Sequence, residues 1–130
     1  MKRDKTDYII IHCSASDVPE HDDIETIRKW HLQRGWDDVG YHYFIDKSGY
    51  VYPGRHIDEV GAHCKGYNYR SIGICLSGNV LFKPAQFHTL KKLLHNLSFL
   101  NAQVFSHRNF NSSKTCPNFC LEYLLEIWGV

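Results

Sequence analysis

The sequence has no apolar run long enough to cross a membrane and no apolar leader after Met1. It carries no internal repeat, low-complexity tract or linker, so a single domain over residues 1–130 is expected. Charge of one sign is also missing. Fifteen Lys and Arg stand against 14 Asp and Glu, a formal net charge of +1. Nucleic-acid binding needs a dense basic surface, so no nucleic acid is expected as a partner. Clinging to an anionic envelope by bulk charge is excluded on the same ground, which leaves recognition in a groove. No Cys-x-x-Cys pair occurs, so a structural metal knot is not expected. The five cysteines (Cys13, Cys64, Cys75, Cys116 and Cys120) are odd in number and cannot all pair. Without a leader, the expectation is synthesis in a reducing cytoplasm, free thiols, no membrane partner and a monomer.

Hydrophobic residues make up 43% of the chain, enough for one packed core. Tyr8 to His12, YIIIH, is apolar and β-branched, as a central buried strand should be. Asp22 and Asp23 are candidate caps for a helix through about Arg34, with Ile24, Ile27 and Trp30 or His31 on one face. Gly35 ends it. Tyr41–Asp46 and Tyr50–Pro53 read as a hairpin around Lys47-Ser48-Gly49. Ser71–Ser77, SIGICLS, reads as a second buried strand. Pro84 opens a helix through about Leu97, with Phe87, Leu90, Leu94 and Leu97 at helical spacing. A short strand over Gln103–His107 and a helix over about Cys120–Trp128 close the chain. The alternation predicts an α/β fold: a central mixed sheet of about five to six strands with helices on both faces.

Nine histidines is a high count for this length. His21, His31, His56, His88 and His95 fall in polar loops or helical segments and need no special role. His12 stands at the carboxyl end of an apolar strand, where open α/β sheets place their ligand sites. His107 ends another predicted strand and Cys116 follows nine positions later. Two ligands from one loop and a third from a distant strand would leave the fourth tetrahedral position of a zinc ion open to water. Spacing alone leaves other readings open. His12 suits a buried, hydrogen-bonded histidine, Cys116 could pair with Cys120, and Lys114 could be a solvated loop lysine.

The segments IIIHCSAS, RKWHLQRGWDDVGYHYFIDKSG, VYPGRHIDEVGAHCKGYNYRSIGICLSGN, PAQFHTLKKLL and SHRNFNSSKTCPNF occur in this order. Together they resemble the type 2 N-acetylmuramoyl-L-alanine amidase family, in particular its small phage lysozymes. Animal peptidoglycan recognition proteins belong to the same superfamily. The resemblance runs from about Tyr8 to Trp128. It implies Zn2+ held by His12, His107 and Cys116, with Tyr41 and Lys114 as catalytic residues. It implies cleavage of the amide between the lactyl group of N-acetylmuramic acid and the L-alanine of a peptidoglycan stem peptide. It implies an enzyme that reaches the cell wall after release from the cytoplasm. His63 resembles a groove-lining substrate position, and Asn68 and Arg70 are further candidate substrate contacts, Arg70 for a peptide carboxylate. His42 should face away from Tyr41 and be structural.

This chain departs from its phage relatives in two places. The loop between His107 and Cys116 is about one residue longer, and the stretch Val80 to Lys83 is short, which lowers one groove wall. Two competing readings remain at this level. A non-cutting peptidoglycan-binding module is opposed by Cys116, which such relatives lack. A thiol hydrolase using Cys13 or Cys64 is opposed for Cys13 by adjacency, since His12 and Cys13 should face apart on one strand.

Overall fold

The apolar runs identified in the sequence form the centre of a five-stranded sheet. In the computed structural model, which describes residues 1–130, the strands are β1 (Tyr8–Cys13), β2 (Tyr43–Ile45), β3 (Val51–Pro53), β4 (Ser71–Leu76) and β5 (Gln103–Ser106). The helices are α1 (Ile24–Gln33), α2 (Pro84–Asn96) and α3 (Leu121–Trp128). The spatial order is β3-β2-β4-β1-β5. β1 pairs in parallel with β4 and β5, β2 pairs in parallel with β4, and only β3 runs antiparallel, as the partner of β2.

β1 and β4 are the two longest strands and lie at the centre. Each is covered on both faces, which is why their sequences are continuous rather than alternating. On one face Ile9, Ile11, Ile45, Ile72, Ile74 and Leu76 pack against Leu90, Leu94, Leu97 and Leu121 from α2, the turn after it and α3. On the other face Phe44 and Cys75 pack with Ile24 and Ile27 of α1 and with Val39. The expected mixed sheet between two helical layers is therefore present, with five strands.

Local signals act as the sequence implies. The Asp23 side chain caps α1 by accepting from the Thr26 N–H at 3.1 Å. Gly35, at φ +88°, takes the left-handed conformation that ends it. Ile24, Ile27 and His31 are buried on α1, while Trp30 is half-buried. The hairpin strands are shorter than expected because Asp46 ends β2. Its Oδ1 accepts from the Ser48 N–H, the Ser48 hydroxyl and the Tyr50 N–H, building the turn from the side chain. Gln86 was not expected inside. It is fully buried, donates to the Ile45 and Ser77 carbonyls and accepts from the Lys83 N–H, tying α2 to the ends of β2 and β4.

Candidate active site

The site forms at the carboxyl ends of the parallel strands. β1 and β5 pair with Ile11 opposite Ser106, so one residue further each chain reaches a histidine. Side chains at paired positions point to one face. His12 and His107 therefore meet, with ring centroids 4.4 Å apart.

Cys116 reaches them from the loop after β5. The Arg108 N–H donates to the Cys116 carbonyl at 3.1 Å, and its guanidinium donates to the Phe119 carbonyl at 3.1 Å. Asn118 donates to the Asn79 carbonyl at 3.0 Å. These bonds fold the loop back over β1, where the Cys13 N–H donates to Cys116 Sγ at 2.8 Å. These contacts bring the thiol of Cys116 to the carboxyl end of β1. One ligand atom each from His12, His107 and Cys116 lies within 4.8 Å of the others. Donors in a tetrahedral site with bonds of about 2.0–2.3 Å stand roughly 3.5 Å apart, so a small contraction would close the set on one ion. Two imidazoles and a thiolate are the donors a zinc ion favours, and these residues fit it.

The electrostatics agree with that donor set. Burial, then the rings of His63 and His107, hold His12 well below the usual histidine range, so it is neutral. Burial and then the Lys114 ammonium lower His107 as well. The Cys116 thiol is pushed up, first by the Cys13 thiol beside it and then by burial. A bound divalent cation would reverse that preference and hold the thiolate.

Tyr41 precedes β2 and lies half-buried, its ring 5.1 Å from that of His12 and 5.5 Å from that of His31. Burial, then the thiols of Cys75 and Cys116, push its phenol well above the ordinary value of 10. At neutral pH it is a hydrogen-bond donor and not a base. Lys114 is exposed on the same groove. His42 is fully buried between the Gly73 N–H, 3.0 Å from its Nδ1, and the Glu59 carbonyl, 2.8 Å from its Nε2. Its role is structural, as expected.

The groove encloses about 620 Å³. His12, His107, Cys116, Tyr41, Lys114, His63 and Asn68 all line it. His63 is buried at 8% exposure, with both ring nitrogens in contact with other side chains. Asn68 Oδ1 accepts from the N–H groups of His63 and Cys64, both at 2.9 Å, which leaves only its amide nitrogen for a ligand. Arg70 stands outside the groove lining. Its guanidinium lies 5.1 Å from the Tyr8 ring and 5.6 Å from the Tyr67 ring, and donates to the Tyr8 hydroxyl at 3.2 Å. The sequence reading missed Arg34, Trp36 and Lys65, which also line the groove. RGW and HCKGYN lie within the segments that carried the resemblance, but nothing in their spacing marks a wall residue. The lining holds three cations, Arg34, Lys65 and Lys114, and no carboxylate. Cys64 makes a poor nucleophile, because burial pushes its thiol up to about 11.

The model of the family described as N-acetylmuramoyl-L-alanine amidase matches residues 2–119. The chain belongs to that amidase family. The amidase is 40% identical to the endolysin of Escherichia phage T7 over 131 residues, covering 93% of this chain and 86% of the phage protein. Its fold matches the N-acetylmuramoyl-L-alanine amidase LysC from Clostridium intestinale with a TM-score of 0.87 and 30% identity, covering 97% of this chain and 87% of the other. It also matches Drosophila PGRP-LB with a TM-score of 0.80 and 28% identity, covering 90% and 78% of the two chains. The chain is therefore an enzyme, an amidase.

Proposed function

We propose that this amidase is a zinc hydrolase of the endolysin type. It cleaves the bond between the lactyl group of N-acetylmuramic acid and the L-alanine of the stem peptide in bacterial peptidoglycan. The observation that carries the reading is the convergence of His12, His107 and Cys116, whose ligand atoms lie within 4.8 Å of one another in the groove. These three would hold the metal, which when bound supplies Lewis-acid polarisation of a carbonyl and a water of lowered pKa.

The chain's own residues do the rest. Tyr41, kept protonated by burial and the neighbouring thiols, donates a hydrogen bond to the oxygen on which charge develops. Lys114 brings a positive charge to the same pocket and stabilises that oxyanion. The groove is lined by three cations and no carboxylate, which suits a stem peptide bearing free carboxylates. Arg34 and Lys65 take the peptide-binding part here, which the sequence had given to Arg70. The enzyme acts on the wall after release, as a monomer. No helix is long and apolar enough to cross a membrane.

Replacing the cysteine ligand tests the reading. Cys116→Ser should bind zinc far more weakly than the parent and lose release of stem peptides from muropeptides. Full activity in Cys116→Ala at saturating substrate would overturn the zinc assignment.

A further inference from the structure

His12 does not meet the groove alone. Its Nε2 lies 2.8 Å from His63 Nδ1. His63 Nε2 lies 3.2 Å from the Ser71 hydroxyl, and that hydroxyl lies 2.8 Å from the Tyr67 carbonyl oxygen. All three side chains are buried, His12 at 1%, His63 at 8% and Ser71 at 0% exposure.

The end of this chain of contacts fixes its direction. A carbonyl oxygen only accepts, so the Ser71 hydroxyl donates its one proton to Tyr67. Ser71 Oγ is then left to accept, and His63 must donate to it from Nε2–H. A neutral imidazole with its proton on Nε2 has an acceptor at Nδ1. His12 must therefore donate from Nε2–H, and its Nδ1 is the nitrogen left with a free lone pair. We propose that His63 is a positioning residue for the metal: with Ser71 and the Tyr67 carbonyl it locks His12 in the tautomer that presents Nδ1 to the groove. The proposal rests on the zinc reading and adds to it the residue that prepares one ligand before the ion arrives.

A second observation supports a built seat for this ring. Gly73 sits in the middle of β4, a strand that is buried throughout. A Cβ there would stand 2.6 Å from His63 Cγ and 2.8 Å from its Nδ1. A Cβ on Gly61 would stand 2.7 Å from His63 Cδ2. Two glycines thus leave open the space that the imidazole fills, and Asn68 holds the His63 backbone from the other side. Metal-bound histidines commonly hold their second ring nitrogen in such a partner, and its loss weakens metal binding about 10- to 100-fold.

The test has two parts. Long-range nitrogen–proton NMR of the metal-free protein reads the tautomer of each ring directly. His12 and His63 should both carry the proton on Nε2, and a proton on His12 Nδ1 would overturn the proposal. Zinc affinity is then measured by chelator competition in three variants that are first checked for folding. His63→Ala should lose affinity about 10- to 100-fold. His63→Asn keeps an oxygen near the former Nδ1 and should recover much of that loss. Ser71→Ala should give a smaller loss and a mixed His12 tautomer. Zinc binding in His63→Ala equal to the parent's would refute the positioning role. A parent protein that binds no zinc would refute the zinc reading instead, and the metal-free spectrum would still decide the direction of the relay.

Discussion

Replacing Gly73 by alanine isolates the packing that seats His63. The new Cβ would meet three ring atoms of His63 at 2.6–2.8 Å, distances that real Cβ atoms do not show. The backbone itself tolerates alanine, since Gly73 has no positive φ. The ring cannot retreat without stretching its contacts to His12 and Ser71. Overpacking of this kind costs about 1–3 kcal/mol, with a further ~1 kcal/mol for a weakened hydrogen bond. For a domain of this size each kcal/mol lowers Tm by roughly 3–5 °C, so Gly73→Ala should melt about 6–20 °C below the parent. Zinc affinity measured well below that Tm should fall as well, by about tenfold. Gly35→Ala is the control. Its φ of +88° makes alanine strained, at about 1–2 kcal/mol, but nothing lies within 4 Å of the new methyl. It should lower Tm and leave zinc affinity alone. Equal zinc affinities in the two variants would refute the argument that Gly73 exists to seat His63.

Tyr41→Phe should fold, keep its zinc and lose about 10²–10³-fold in kcat, because a preorganised donor to the oxyanion is gone; unchanged steady-state kinetics would remove Tyr41 from the mechanism. Gln86→Leu should cost about 2–4 kcal/mol in chemical denaturation, since two buried carbonyls and an N–H lose their partner. His31 and His42 are both held down to about 4 by burial. Their folded values lie below the unfolded value of about 6.5, so the unfolded chain binds more protons between those limits. Tm of the metal-free protein should therefore be highest above pH 6.5 and fall as the pH drops toward 4, and His42→Asn should flatten that slope; a flat profile in the parent would contradict the assignment.

The strands were legible in the sequence because β1 and β4 are continuous apolar runs, a pattern that only two-sided burial explains. The helices were legible from Asp23, Gly35 and the spacing of Leu90, Leu94 and Leu97. What spacing could not reveal was the meeting of His12 and His107. That contact depends on parallel pairing between segments about 95 residues apart, and no local pattern encodes the register. The ordered resemblance named the ligand triad, and the fold brings those three residues together. It was less informative about their supports. Gln86 interrupts the apolar face of α2 and looks like a solvent residue until its two carbonyl partners are seen. His63 carries the look of a groove residue, yet both its nitrogens are used inside the protein. Arg70 was a candidate contact for a peptide carboxylate; its guanidinium packs on Tyr8 and Tyr67, and the cations that line the groove are Arg34, Lys65 and Lys114.

Mass spectrometry of peptidoglycan digested by the purified enzyme, with and without a zinc chelator, tests the bond cleaved and the metal site together. Free stem peptides that begin with L-alanine should appear with the glycan strands left uncut, and this release should stop under chelator and recover on adding zinc. Peptide release that persists under chelator, or products cut within the glycan or the stem peptide, would contradict it.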